Sequence, residues 1–106
     1  MSGTGENSGE IVIKVDADLE DLIPGFLENR QEDIKEIEQA VEQGNYEQIK
    51  LLGHSMKGSG GGYGFEEITR LGAIIEESAA TEDSDMILEC TKSMRSYLSR
   101  VRVVYE

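Results

Sequence analysis

The chain has few of the residues that build disulfide-linked, metal-binding or membrane-spanning proteins. Its 106 residues include no tryptophan, one proline, one cysteine and one histidine. Because Cys90 is alone, the sequence excludes an internal disulfide and a metal site built from cysteines and histidines. No apolar run approaches the roughly 18 residues of a membrane span, and the N-terminus lacks a signal-peptide apolar stretch. We therefore expect a cytoplasmic protein with no metal and no bound cofactor.

Positive charge is also scarce. Ten Lys and Arg residues face 22 Asp and Glu residues, which gives a net charge of −12. Nucleic acids and anionic membrane surfaces both attract proteins through Lys and Arg. The charge therefore argues against nucleic acid and membrane as partners. The 38% of hydrophobic residues is ordinary for a globular protein, and the length suits one domain with a modest core.

The two ends of the chain differ from the middle. Residues 1–10 carry almost no apolar side chains and are predicted to be a disordered tail ahead of a domain at 11–106. Residues 11–15 are β-branched and form either a strand, with 101–105 as the candidate partner, or an apolar strap across the domain. The helical period of the last helix also continues through 105. The sequence leaves these alternatives open.

Four stretches in the middle repeat apolar residues with the 3.6-residue period of amphipathic helices. They begin near Pro24, Tyr46, Phe65 and Ser84, and the second and third are expected to end near Gly62 and Ala80. Met56, Met86 and Met94 are interpreted as core residues. Since short loops make neighbouring helices antiparallel, we predict an all-α, up-down four-helix bundle with a short N-terminal extension.

The second predicted helix has an unusual composition. Residues 53–65 contain the only histidine, His54, and six of the twelve glycines. Each glycine inside a helix costs roughly 0.5–1 kcal/mol relative to alanine. Glycines that destabilise the helix next to the only imidazole indicate a surface that must leave room for a bulky partner.

Helical spacing places His54 away from the core. The predicted inward face of this helix carries Ile49, Leu52, Met56 and Ser59, with Gly53 and Gly60 at its edge. His54 lies nearly opposite this face. Lys57 and Gly58, three and four residues later, lie over the next turn beside the imidazole. Leu51 is an apolar residue on the same outer side, where a solvated face would carry a polar one.

Residues 54–59, His-Ser-Met-Lys-Gly-Ser, followed by Gly64 and Phe65, resemble the signature of histidine-containing phosphotransfer (HPt) domains. That signature reads roughly His-x-Leu/Met-Lys-Gly-Ser. The chain from about 18 to 105 is also similar to this family in length and helix order. It departs from the family at residues 60–62, where Gly stands in place of the usual Ala or Ser. The resemblance implies a four-helix bundle with His54 exposed on the second long helix.

The resemblance also implies a role for these residues. His54 would receive a phosphoryl group from a receiver-domain aspartate or a sensor kinase and pass it to a receiver domain. A neutral imidazole nitrogen is a competent nucleophile toward phosphorus, and Lys57 can offset the charge of the phosphoryl oxygens. Leu51, Gly58 and Gly61 are the expected docking surface. The ring needs an orienting hydrogen bond, which we expect from a Glu or Gln of the first long helix.

The sequence offers no nucleotide site of its own. Met56 precedes Lys57, so the phosphate-loop order Gly-Lys-Ser is absent. We therefore expect a phosphoryl carrier that is not an enzyme and that does not phosphorylate itself from ATP. The alternative is a non-catalytic helical interaction module, whose glycine-flattened face binds a partner helix.

Overall fold

The computed structural model describes residues 9–106, which form four helices and one small sheet. The strands and α-helices, in chain order, are β1 (Ile11–Val15), α1 (Ile23–Gln43), α2 (Tyr46–Gly60), α3 (Glu66–Ala80), α4 (Ser84–Arg100) and β2 (Val101–Tyr105), and a single 3-10 turn at Ala17–Leu19 follows β1. The predicted all-α, four-helix class is confirmed. Most of the predicted tail at 1–10 lies outside the described residues. Within them, no helix is both long enough and apolar enough to cross a membrane.

Local chemistry sets the helix boundaries. Gly44 ends α1 in the left-handed region at φ 69°, and the Asn45 side chain accepts a hydrogen bond from the Gln48 backbone N–H to begin α2. Helix α2 ends at Gly60, two residues earlier than predicted, because the chain tightens there into a 3-10 turn at Gly61–Tyr63. The Gly61 N–H then donates to Thr69 Oγ1, 2.7 Å away on α3.

The core lies between the inward faces of the four helices. Its large members are Val15, Ile23, Phe26, Ile34, Ile37, Ile49, Met56, Phe65, Ile68, Leu71, Ile75, Ile87, Met94 and Tyr97. The prediction that Met86 belongs to the core is wrong, since it is 43% exposed. Ile87 takes the inward position at the start of α4. Because consecutive residues of a helix point about 100° apart, Met86 then points away from the core.

Cross-helix contacts agree with the antiparallel order. The last residue of α2, Gly60, meets Thr69 early in α3, whereas Gly53, in the middle of α2, meets Gly72 and Glu76, later in α3. At the other side of α2, Arg30 Nη1 of α1 donates to Ser59 Oγ at 3.3 Å. The Nε of Arg30 also pairs with Asp33 Oδ2 at 2.8 Å.

The two β-branched segments pair as strands. β1 and β2 are parallel, in a register that runs from Ile11 opposite Val101 to Val15 opposite Tyr105. Val101 has an extended backbone at φ −71° and ψ 132°, so the helix stops there although its apolar period continues. The Glu106 N–H donates to the Val15 carbonyl at 3.0 Å, which extends the ladder by one bond. The sheet thus attaches the N-terminal extension to the end of α4.

We expect Gly72→Ala to destabilise the domain and Gly58→Ala to stabilise it. A Cβ on Gly72 would lie 2.6 Å from the Lys57 backbone nitrogen, whereas a Cβ on Gly58 would have no atom within 4 Å. Overpacking should lower the free energy of unfolding by about 1–3 kcal/mol, and the better helix propensity at 58 should raise it by up to about 1 kcal/mol. Urea unfolding followed by circular dichroism measures both. Equal midpoints for the two variants would contradict the close packing of α2 on α3.

Candidate functional site

His54 is exposed on the outer face of α2. Its side chain is 67% accessible, and its Nδ1 lies 3.0 Å from Glu76 Oε2 of α3. No other hydrogen bond to the ring is formed within residues 9–106, so Nε2 faces solvent without a partner. The sequence-based placement of His54 away from the core therefore agrees with the geometry.

Glu76 holds both functional side chains that the sequence singled out. Its Oε1 accepts from Lys57 Nζ at 3.1 Å, while its Oε2 accepts from His54. The prediction that the orienting group comes from the first long helix is wrong, because Glu76 lies on α3. The sequence carries one signal for it: Gly72 has no side chain to keep a neighbouring helix away, and Glu76 is one turn further along the same face.

The charge on Glu76 fixes the proton on the ring. Its hydrogen bond with Lys57, and next its hydrogen bond with His54, lower the pKa of the Glu76 carboxyl. An ionised carboxylate can only accept hydrogen bonds, so Nδ1 is the nitrogen that carries the proton. In a neutral imidazole the lone pair then lies on Nε2, which is the exposed nitrogen.

Lys57 and the imidazole of His54 share Glu76 as their partner. Its side chain is 44% exposed, and the ion pair with Glu76 holds the ammonium on the same side of α2 as the ring. The structure therefore brings His54 and Lys57 together through a third residue. A cation in this place is suited to offset the negative charge of a group bound at Nε2.

The glycines around His54 fall into two groups. Gly53 and Gly60 are buried against α3, where an added Cβ would lie 2.7–3.0 Å from its neighbours. Their glycine character therefore comes from helix packing and not from an approaching partner. Gly58 and Gly61 are exposed; a Cβ would meet nothing within 4 Å at Gly58 and only Thr69 Oγ1, at 3.5 Å, at Gly61. Leu51, three residues before His54 on α2, is 65% exposed.

The other nucleophile and the acidic side chains offer no competing site in the described part of the chain. Cys90 is buried, and burial raises the pKa of its thiol, which disfavours the reactive thiolate. Within residues 9–106, no group of three or more His, Cys, Asp and Glu side chains is arranged to hold a metal ion. The exposed imidazole is the best candidate for chemistry in this region.

Comparison with known proteins gives one match. Residues 21–103 match the family model described as the Hpt domain, and this range includes His54, Lys57 and Glu76. No match was found among curated proteins or among solved structures. Hpt domains are phosphocarriers of two-component phosphorelays and interact there with receiver domains and kinases. Because the family model matches most of the chain, the chain belongs to the Hpt domain family.

Proposed function

We propose that His54 is the phosphoryl-carrying residue and that it reacts through Nε2. It takes the phosphoryl group from a receiver-domain aspartate or from a sensor kinase and passes it to a receiver domain. The observation that carries this proposal is the hydrogen bond from Nδ1 to Glu76, 3.0 Å long, which leaves the exposed Nε2 with its lone pair. The family supports histidine phosphotransfer in general, and the geometry supports this nitrogen in particular.

The transfer step uses groups that are already in place. The Nε2 lone pair attacks the phosphorus of an aspartyl phosphate, an N–P bond forms, and the P–O bond to the aspartate breaks with its electron pair leaving on the carboxylate. The ring keeps its Nδ1 proton and becomes positively charged. Glu76 accepts the hydrogen bond from that proton and therefore balances the charge of the phosphorylated ring. The reverse step returns a ring that is ready to react again.

The surroundings of His54 suit the approach of a second protein. A receiver must bring its aspartate within in-line distance of Nε2, so its loops must pass over the turn after His54. Gly58 has open space on that turn, and Leu51 offers an exposed apolar contact nearby. We propose Leu51, Gly58 and Gly61 as the docking surface, with Lys57 beside the transferred group.

The proposed donor is another protein and not ATP. Residues 57–59 lack the order of a phosphate-binding loop, and they lie inside a helix. The ladder between β1 and β2 supports residues 11–106 as the folded unit that makes the transfer.

We expect His54→Gln to abolish labelling by a phosphorylated receiver and to keep the fold. The side chain is 67% exposed, so its replacement removes little packing. The label on the unchanged protein should be lost in acid and kept in base, as phosphoramidates behave. Transfer of radiolabel, with circular dichroism as the control for folding, tests this. Receiver binding without any labelling of the unchanged protein would favour a non-catalytic interaction module instead.

We expect Glu76→Ala to slow phosphoryl transfer by roughly tenfold to hundredfold, because the variant loses one charge-assisted hydrogen bond to the ring. Lys57→Ala keeps the hydrogen bond between Glu76 and Nδ1, so its transfer rate should fall by less. Glu77→Ala, at an exposed neighbouring position, is the matched control.

A spectroscopic readout separates positioning by Glu76 from a merely structural role. The ¹⁵N shifts of the His54 ring should show a proton fixed on Nδ1 in the unchanged protein and mixed tautomers in Glu76→Ala. Identical ring shifts in both proteins would remove Glu76 from the mechanism.

We expect Gly58→Arg to block transfer while the domain stays folded. The position is exposed with open space around it, so the new side chain clashes with a docked receiver and not with the bundle. Gly25→Arg is the matched control, because Gly25 is also an exposed helix residue with nothing within 4 Å. Single-turnover transfer and thermal melting should be measured on both. Normal transfer by Gly58→Arg would place the docking surface elsewhere.

A further inference from the structure

A second site lies in a cleft of about 490 Å³ that shares no residue with the His54 site. Arg70 of α3 lies on one side, and Lys92, Ser96 and Arg100 of α4 lie on the other. Ile11 of β1 supplies an apolar part of the lining. The volume falls within the usual range of small-molecule sites, roughly 300–1,000 Å³.

The charge of this cleft stands out against the rest of the chain. The ten Lys and Arg residues share the protein with 22 acidic residues, and six of the ten form ion pairs within residues 9–106. The four that do not are Lys35, Lys50, Lys92 and Arg100. Two of these four line the same cleft. In so acidic a protein, two cations that form no ion pair with a carboxylate of residues 9–106 mark a local excess of positive charge.

The basic and hydroxyl side chains of α4 lie along one side of the cleft. Lys92, Ser96 and Arg100 follow one another at four-residue spacing and so form a row on one face of α4, roughly 12 Å long. Arg100 folds back along this row, since its Nε donates to the Ser96 carbonyl at 3.4 Å. The hydroxyl of Ser93 also lines the cleft. The two flexible side chains can therefore close on a ligand above Ser96.

Arg70 faces this row with a fixed orientation. Glu67 holds its Nε at 2.9 Å and its Nη2 at 2.5 Å, so the guanidinium plane is set by two parallel bonds. The third nitrogen, Nη1, has no hydrogen-bond partner within residues 9–106 and keeps its donors. The Glu67 carboxylate is compensated by Arg70, which lowers the pKa of that carboxyl. The charges of Glu67 and Arg70 therefore offset each other, and the positive charges of Lys92 and Arg100 remain.

We propose that this cleft binds a small anion with at least two phosphate groups, of the size of pyrophosphate or a short polyphosphate. The guanidinium, ammonium and hydroxyl groups that line the cleft can donate in several directions. They therefore match tetrahedral groups with oxygens in several directions, whereas a single carboxylate offers two oxygens in one plane. The row on α4 is long enough for more than one phosphate. The site is independent of the phosphotransfer histidine, so binding does not rest on the function proposed above.

The test is a titration of the full chain with sodium pyrophosphate, followed by amide NMR and by calorimetry. Saturable shifts are expected at Arg70, Lys92, Ser96 and Arg100. The double variant K92A/R100A should lose affinity by roughly tenfold or more, as expected when charge-assisted hydrogen bonds are removed. K35A/K50A removes the same charge from the two other cations without ion pairs and should bind normally. H54Q should also bind normally.

Four results would overturn the proposal. Equal loss of affinity in K92A/R100A and K35A/K50A would mean diffuse attraction to charge and no site. Shifts centred on His54, or lost in H54Q, would place the anion at the phosphotransfer residue. Equal saturation by sodium sulfate at matched ionic strength would exclude selection for a ligand with two phosphates. Tighter binding of a Glu-rich peptide of matched charge would make the cleft a surface for acidic protein segments.

Discussion

The close approach of α2 and α3 is the contact on which the candidate site depends. Gly53 and Gly72 meet at distances that no Cβ could occupy, and Gly60 packs in the same way against the start of α3. Only because the two backbones are this close does Glu76 reach the imidazole of His54 and the ammonium of Lys57 together. The packing of α2 on α3 thus determines which imidazole nitrogen of His54 has a hydrogen-bond partner.

This contact also explains why the glycine-rich stretch is difficult to interpret from sequence. The sequence does not distinguish a glycine that lets a neighbouring helix pack closely from a glycine that leaves room for a partner protein. Spacing placed Gly53 and Gly60 at the edge of the inward face, and that was close to the truth, since both are buried. Which glycines face solvent depends on where α3 lies, and one helix considered alone contains no such information.

Local sequence patterns were sufficient to predict most of the fold. Contacts between residues that are far apart in the sequence could not be predicted from them. The helices and the exposure of His54 follow from the spacing of apolar residues within a few turns. The pairing of β1 with β2 could only be left open, since it joins segments at opposite ends of the domain. Glu76 was missed for the same reason: a hydrogen bond between two helices depends on their relative rotation. The exposure of Met86 depends on a neighbour, Ile87, that is equally apolar.

The parallel pairing of β1 with β2 has a consequence for how the domain folds. The ladder encloses all four helices between its two strands, so it closes the longest loop in the described chain. Closing a long loop costs more chain entropy than forming a hairpin between neighbouring helices, and it becomes favourable only after the intervening helices have shortened the distance. The strands should therefore join late, after α2 and α3 have packed. The site around His54 can then assemble from contacts between two consecutive helices, before the ends of the chain meet.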